Sequence, residues 1–119
     1  MIFLTNIKIM EKEFIAIKIE INRYRKIYLN EILYCKADRA YSVIKTDDSE
    51  YTFSEPLKNL ENLLTSTAFI RVNRSYIVNL TKCIEPKTGA KPEIILINKE
   101  VIKPNSNLLS IISEYFNLN

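Results

Sequence analysis

The sequence predicts a mainly β domain, a sandwich or barrel-like arrangement of short strands with two helical additions. Short runs that alternate apolar with polar residues recur along most of the chain, as expected of half-buried strands. Only a central segment and the C-terminal segment space their apolar residues as helices do. With 119 residues, 47% of them hydrophobic, the chain is long enough for one domain with its own core.

Five strands are expected in the first half of the chain. Isoleucines alternate with polar or small residues over residues 14–21, and the alternation resumes after a turn at Asn22 and Arg23. The continuous apolar run at residues 32–35 favours a central strand that is buried on both faces. Polar turns separate the strands, so the first two and the last two are expected to pair as hairpins. The expected strands cover residues 14–21, 24–29, 32–35, 41–46 and 51–53.

A short helix is expected to begin at Ser54. The Ser54 hydroxyl can cap a free backbone N–H, Glu55 suits the positive end of the helix dipole, and Pro56 is tolerated in a first turn. Leucines at positions 57, 60, 63 and 64 recur at helical spacing, which indicates a stripe that faces the core. The helix is expected to end near residues 65–67.

The last third of the chain predicts a hairpin followed by a helix. The hairpin strands at residues 93–97 and 101–103 follow a proline-bounded loop at residues 86–92, and Pro104 ends the second strand. Asn105, Ser106 and Asn107 are candidates to cap the final helix. The wide apolar face of that helix comprises Leu108, Leu109, Ile111, Ile112, Tyr115 and Phe116.

The composition disfavours an enzyme. A single glycine, Gly89, leaves no glycine-rich phosphate loop, and the absence of histidine removes the commonest general base and metal ligand. Cys35 and Cys83 stand far apart and are expected to be reduced, buried thiols. We therefore expect no catalysis, metal, cofactor or small-molecule substrate. No apolar run approaches the roughly 20 residues that span a bilayer, and no secretory signal is visible, so we expect a cytoplasmic protein without membrane contact.

The most informative stretch covers residues 69–80. Read as one strand, it has an apolar face and a polar face made of arginine, asparagine and serine, residues that suit phosphates and base edges. A strand with one solvated face and a nucleic-acid-binding surface explain this pattern equally well, and the formal net charge of +3 does not decide between them. The apolar face comprises Ile70, Val72, Tyr76 and Val78, interrupted by Arg74, and the polar face comprises Arg71, Asn73, Ser75 and Asn79.

The order Phe-x-Arg-Val-x-Arg-Ser-Tyr-Ile-Val-Asn at residues 69–79 resembles the signature of the LytTR (LytR/AlgR-like) family, the all-β DNA-binding domains of bacterial response regulators. The resemblance extends from residue 14 to the C-terminal helix. It implies an elongated fold of about three small sheets and about ten short strands over residues 14–119. Residues 1–13 are then an N-terminal extension, in which Ile7 and Ile9 leave an edge strand ambiguous. The family usually carries a receiver domain, for which there is no room before Phe14.

The resemblance also implies where DNA is bound. The family's loops reach into two successive major grooves and the minor groove between them. Two positions depart from the family pattern: Asn73 stands where histidine is frequent, and no arginine follows Ser106. We therefore expect altered sequence preference or weaker binding. Carried over by position, the DNA-facing residues are Arg39 and Tyr41 in a first loop, Arg71, Asn73, Arg74 and Ser75 in a central one, and Asn105, Ser106 and Asn107 in a last one.

Each of these residues has a simpler alternative role. Tyr41 also suits a sheet surface, Arg39 can pair with Asp38, and Asn105 and Asn107 can cap the final helix. In a regular strand, Arg71 and Arg74 point to opposite faces, so a bulge or turn is needed to bring both to DNA.

Two functions follow. The first is a transcriptional regulator that binds double-stranded promoter DNA at repeated half-sites, as a dimer or as a pair on DNA. The second is a LytTR-like module that has lost strong DNA binding and acts by associating with another regulator.

Overall fold

The computed structural model describes residues 13–118, which form ten strands in three antiparallel sheets and two α-helices. The expected mainly β, multi-sheet fold with a short central and a C-terminal helix is confirmed. The expected N-terminal extension, apart from Glu13, lies outside the described residues. The strands are β1 (Phe14–Glu20), β2 (Arg23–Tyr28), β3 (Ile32–Asp38), β4 (Tyr41–Thr46), β5 (Glu50–Phe53), β6 (Phe69–Arg71), β7 (Tyr76–Asn79), β8 (Cys83–Lys87), β9 (Glu93–Leu96) and β10 (Val101–Ile102), and the helices are α1 (Leu57–Glu61) and α2 (Leu109–Phe116).

The three sheets are arranged around strand β3. A five-stranded sheet has the order β5-β4-β3-β7-β6, and it is accompanied by the β1–β2 hairpin and a three-stranded sheet in the order β10-β9-β8. The hairpins expected in the first half, β1–β2 and β4–β5, are both present. Strand β3 lies in the centre of the largest sheet with Ile32, Leu33, Tyr34 and Cys35 buried, as its apolar run indicated.

Two hydrophobic cores lie on opposite faces of the five-stranded sheet. Successive strand residues point to opposite faces, so Cys35 and Ile77 join the first core, whereas Tyr34 and Val78 join the second. The first core also contains side chains of the β1–β2 hairpin and α1, and the second contains those of the three-stranded sheet and α2. Strand β3 is apolar throughout its first half because both faces are covered.

The expectation that residues 69–80 form one strand is wrong. The chain reverses between β6 and β7, and the loop at residues 72–75 joins the two strands. The expected apolar face nevertheless holds together, because the antiparallel register places Ile70 opposite Val78 and both contribute to the second core with Val72 and Tyr76. Arg71 and Arg74 point to opposite faces of a regular strand, so a bulge or a turn between them was needed to bring both to DNA. The reversal is such a turn.

Asn79 is not part of an exposed polar face. The side chain is buried, with 2% of its surface accessible. Its amide nitrogen donates to the carbonyl of Ile32 at 2.8 Å, and its amide oxygen accepts from the backbone N–H of Thr81 at 3.0 Å and from the Thr81 hydroxyl at 2.7 Å. Asn79 is buried because β7 lies between β3 and β6. Its side-chain amide connects the short turn that follows β2 to the short turn that follows β7.

Helix α1 is shorter than its leucine pattern indicated. Its N-cap is Pro56, whose carbonyl accepts from the N–H groups of Asn59 and Leu60, so the expected Ser54 cap is wrong. After Glu61 the chain tightens into bonds between residues three apart, from Leu63 to Leu60 and from Leu64 to Glu61. This tightening leaves Leu63 42% exposed, while leucines 57, 60 and 64 are buried.

The C-terminal helix follows the last strand after a short 3-10 turn at Ser106–Leu108. Ile112 of α2 is buried, and Leu108 and Phe116 pack against the second core, whereas Ile111 and Tyr115 are exposed. Among residues 13–118, no helix is long and apolar enough to cross a membrane.

Both cysteines are free and buried, as their isolation in the sequence indicated. Burial raises the pKa of the Cys35 thiol to about 12 and raises that of Cys83 as well. A thiol held neutral in this way is a poor nucleophile and a poor metal ligand. Within the described part of the chain, no three acidic or cysteine side chains are grouped to hold a metal ion.

Candidate nucleic-acid interface

Three loops lie at one end of the five-stranded sheet, where backbone hydrogen bonds join the central one to the last one and to the end of strand β3. They are the first loop (residues 38–41, between β3 and β4), the central loop (residues 72–75, between β6 and β7) and the last loop (residues 103–107, before α2). The N–H of Ala37 donates to the carbonyl of Ser75 at 2.8 Å, and the N–H of Asn105 donates to the carbonyl of Val72 at 2.8 Å. The expected site residues, which are scattered in the sequence, therefore belong to adjoining loops.

The first loop is a tight hairpin turn in which Asp38 pairs with Tyr41 across the strands. Arg39 occupies the turn with a φ of 61°, a left-handed conformation that favours glycine. Its side chain is exposed and forms no ion pair with Asp38 or with any other residue between positions 13 and 118. Tyr41 begins β4 with 52% of its surface exposed. Both expected side chains thus extend from the sheet into solvent.

The central loop is shaped by the side chain of Asn73. The Asn73 amide oxygen accepts from the backbone N–H of Ser75 at 2.8 Å and from that of Tyr76 at 2.9 Å. Its amide nitrogen donates to the carbonyl of Lys103 in the last loop at 2.8 Å. Asparagine favours turns because its side chain can satisfy backbone groups two or three residues ahead. The amide is therefore engaged on both sides by groups of the protein itself.

Arg71, the last residue of β6, donates side-chain hydrogen bonds to the backbone of the same loop. Its Nε donates to the carbonyl of Asn73 at 3.0 Å, and its Nη2 donates to the carbonyl of Arg74 at 2.7 Å. Its Nη1 forms an ion pair with Glu61 of α1, at 3.1 Å. Three nitrogens of the guanidinium are thus directed at protein acceptors, which restricts what Arg71 can offer to a ligand.

Arg74 and Ser75 occupy the tip of the central loop, and both are exposed. Across residues 13–118, neither side chain makes a hydrogen bond or an ion pair. The carbonyl of Arg74 is held by Arg71 and that of Ser75 by Ala37, so the backbone is fixed while the side chains are not. Such an arrangement presents a permanently charged guanidinium and a hydroxyl from a rigid base.

The last loop rests against the central loop. Pro104 is buried between two residues that bond to the central loop, while Asn105, Ser106 and Asn107 are exposed. Asn105 precedes the 3-10 turn, but its side chain makes no capping bond there. The expected alternative role of Asn105 as a side-chain cap is therefore not observed, and its amide points to no partner among residues 13–118.

Two lysines near these loops were not singled out from the sequence. Lys36 lies on β3 and borders a surface depression of about 410 Å³ that is also lined by Ala37, Asp38, Ser75 and Tyr76. Lys103 opens the last loop and is exposed. The depression is lined by residues of the first and central loops. Around it, among residues 13–118, Lys36, Arg39, Arg74 and Lys103 accompany the carboxylate of Asp38, while Arg71 is paired with Glu61. Each of these lysines lies at the start of a loop or within two residues of it, and that position is the sequence signal that could have identified them.

Known proteins resemble this chain both in sequence and in fold. A family model described as the LytTr DNA-binding domain matches residues 22–115. Among solved structures, the LytTr DNA-binding domain of a methyl-accepting/DNA response regulator from Bacillus cereus superposes with a TM-score of 0.72 at 19% sequence identity, and the match covers 91% of this chain and 100% of that one. No curated protein matches the sequence.

Proposed function

The chain belongs to the LytTr DNA-binding domain family, and from this premise we propose that it is a transcriptional regulator that reads double-stranded DNA in a sequence-specific manner through the first, central and last loops. The observation that carries the proposal is the hydrogen bonding at one end of the five-stranded sheet, which joins the central loop to the last loop and to the end of β3, from which the first loop continues. One rigid surface with three projecting loops suits DNA, whose grooves recur along the duplex.

The chemistry of each loop suits a different part of DNA. Arg39 and Arg74 are exposed guanidinium groups, which bind phosphates or the paired acceptors of guanine. Tyr41 and Ser75 have hydroxyls that suit phosphate oxygens. The exposed amides and hydroxyl of the last loop suit base edges or phosphates. In this arrangement, the loops enter successive major grooves and the minor groove between them.

A second function, association with another regulator without strong DNA binding, is favoured by one observation. The last loop presents two asparagines and a serine, and its only cation is Lys103. Affinity for DNA depends largely on cations that neutralise phosphates. Salt dependence therefore separates the two functions, because binding to DNA weakens steeply with salt and burial of apolar surface in a protein complex does not.

The first experiment is a selection from a pool of genomic DNA fragments, followed by a salt titration of the enriched fragment. The native protein is compared with Arg74→Ala and with Arg23→Ala, a matched control on the β1–β2 hairpin whose side chain pairs with Glu20. We expect selective enrichment, and a loss of about 5-fold to 150-fold for Arg74→Ala, the range for a specific base contact. Arg23→Ala should change affinity little.

Equal and weak binding of all fragments, unaffected by Arg74→Ala, would contradict the proposal and favour association with another protein. The stoichiometry on the enriched fragment then tests pairing: sedimentation of duplexes with one or two copies of the enriched site should give one or two bound chains. The salt dependence adds a count, since log affinity falls with log salt by about 0.9 for each phosphate neutralised.

A further inference from the structure

We propose that Asn73 is a positioning residue, which sets the place of Arg74 relative to the last loop and does not itself contact DNA. The inference rests on the proposed function, because it concerns how that surface is held. It departs from the sequence-based expectation that Asn73 is a contact. The distinction matters for specificity, because an Arg74 side chain that is displaced loses its contact with DNA just as a deleted side chain does.

The first argument is that the Asn73 side chain is committed within the protein. Its oxygen accepts from the N–H groups of Ser75 and Tyr76, and its nitrogen donates to the carbonyl of Lys103. An amide has two acceptor sites and two donors. Both acceptor sites and one donor are in use, so bidentate pairing with a base edge, which needs the amide oxygen, would require these bonds to break.

The second argument is that the bonds of Asn73 bracket Arg74. Asn73 directly precedes Arg74, and its side chain holds the N–H of Ser75, which follows Arg74. The backbone carbonyls of Asn73 and Arg74 both accept from Arg71. Glu61 holds the far side of the Arg71 guanidinium. The Arg74 side chain is thereby aimed from a backbone that four side-chain hydrogen bonds define, without glycine or proline in the loop.

The third argument is that Asn73 joins two loops. Its bond to Lys103 lies next to the bond from the N–H of Asn105 to the carbonyl of Val72, so the central and last loops exchange bonds on both sides of the buried Pro104. Hydrogen bonds that close a small ring of this kind fix the distance between the two loops. Loss of the Asn73 amide leaves only one of the two links.

The test is a double-mutant cycle on DNA affinity, using Asn73→Ala, Arg74→Ala and the combined variant. The probes are the fragment enriched by the native protein and a random-sequence duplex of the same length. We expect Asn73→Ala to weaken binding to the enriched fragment about tenfold in the native background. In the Arg74→Ala background, the same substitution should weaken it by about twofold or less.

Two further variants separate positioning from general damage to the fold. Asn73→Ser keeps an acceptor for the loop N–H groups, but its side chain is too short to reach Lys103. Its affinity for the enriched fragment should therefore lie between the affinities of the native protein and of Asn73→Ala. Thr81→Val removes a hydroxyl that bonds to Asn79 at the end of β7 away from the central loop, and should lower stability without changing the ratio of specific to non-specific affinity. Circular dichroism checks that each variant is folded, and Asn73→Ser replaces Asn73→Ala in the cycle if Asn73→Ala unfolds.

The outcomes distinguish the two proposals. If no fragment is enriched by the native protein, the proposed function is wrong and the inference falls with it. If a fragment is enriched but Asn73→Ala weakens binding by the same factor in both backgrounds, or not at all, DNA recognition stands and the positioning role of Asn73 is overturned.

Discussion

The hydroxyl of Tyr34 donates a hydrogen bond of 2.8 Å to a carboxylate oxygen of Glu100, a residue 66 positions later in the chain. Tyr34 lies in β3, with its ring in edge contact with that of Tyr76, and Glu100 lies in the turn between β9 and β10. The bond therefore joins the five-stranded sheet to the three-stranded one. It holds the sheet that precedes the last loop against the sheet that bears the first and central loops.

Removing this hydroxyl should destabilise the fold. We expect Tyr34→Phe to lower the free energy of unfolding by about 1 to 2 kcal/mol, because a hydrogen bond to a charged acceptor is lost while the ring remains. Urea denaturation followed by circular dichroism measures the change. Tyr24→Phe is the matched control, since the Tyr24 ring is 65% exposed on β2. Equal stability of the two variants would contradict the assigned role of the Tyr34 hydroxyl.

Alkaline pH should also destabilise the protein. Burial raises the pKa of Cys35 from 9.0 to about 12, and burial together with the bond to Glu100 raises that of Tyr34. A raised pKa in the folded state gives a contribution that is complete below the unfolded pKa and is lost as pH rises through the folded pKa. For Cys35 the loss begins near pH 9 and approaches about 1.4 kcal/mol per pH unit.

The contribution of the thiol is isolated by comparison with Cys35→Ala. Urea denaturation at pH 8, 9.5 and 11 should show the native protein losing stability more steeply than the variant, whatever the offset between them at neutral pH. The part of the decline that is due to Tyr34 remains in both proteins. Parallel curves would show that Cys35 does not contribute to the pH dependence.

The buried amide of Asn79 should be among the most sensitive polar groups in the fold. We expect Asn79→Ala to lower the free energy of unfolding by about 2 to 4 kcal/mol, because it leaves the buried carbonyl of Ile32 without its partner and also removes the bonds to Thr81. Thr81→Val removes only the hydroxyl bond and should cost about 1 kcal/mol. Thermal unfolding of both variants measures the difference, and a smaller loss for Asn79→Ala than for Thr81→Val would contradict this assignment.

The leucines of α1 should differ sharply in their contributions. Leu60 is fully buried, so Leu60→Ala is expected to lower the free energy of unfolding by about 2 to 5 kcal/mol. Leu63 is 42% exposed, and Leu63→Ala should change it by less than about 1 kcal/mol. Urea midpoints of the two variants provide the comparison, and similar losses would mean that the helix continues beyond Glu61.

Strand positions followed from the sequence because alternation of apolar and polar residues reports burial directly, as in β1 and β4. The reversal between β6 and β7 did not. Their register pairs Ile70 with Val78 and Arg71 with Ile77, so partners are always an even number of residues apart. Residues that face the same core therefore keep the same parity on both sides of the loop, and the pattern is identical to that of one continuous strand.

The positions of the expected site residues followed from the sequence better than their bonding did. The loops that contain Arg39, Arg74 and Asn105 lie at one end of the five-stranded sheet. The partners of Arg71 and Asn73 did not follow, because Glu61 and Lys103 lie 10 and 30 positions away, and each pairing depends on how separate elements pack. An arginine or asparagine that suits DNA by its chemistry suits a backbone carbonyl equally well.

At Arg39, the left-handed turn conformation sets the stability of the first loop against the DNA contact that we propose for this side chain. A side chain in that conformation costs about 1 kcal/mol, which glycine avoids. Screening a library for heat resistance alone should therefore select Arg39→Gly, together with the equivalent change at Lys99, which has a φ of 76° in the β9–β10 turn. Screening the same library for DNA binding should retain arginine at position 39 and still accept glycine at position 99. Thermostabilised versions of this domain should therefore carry glycine at position 99 and keep arginine at position 39.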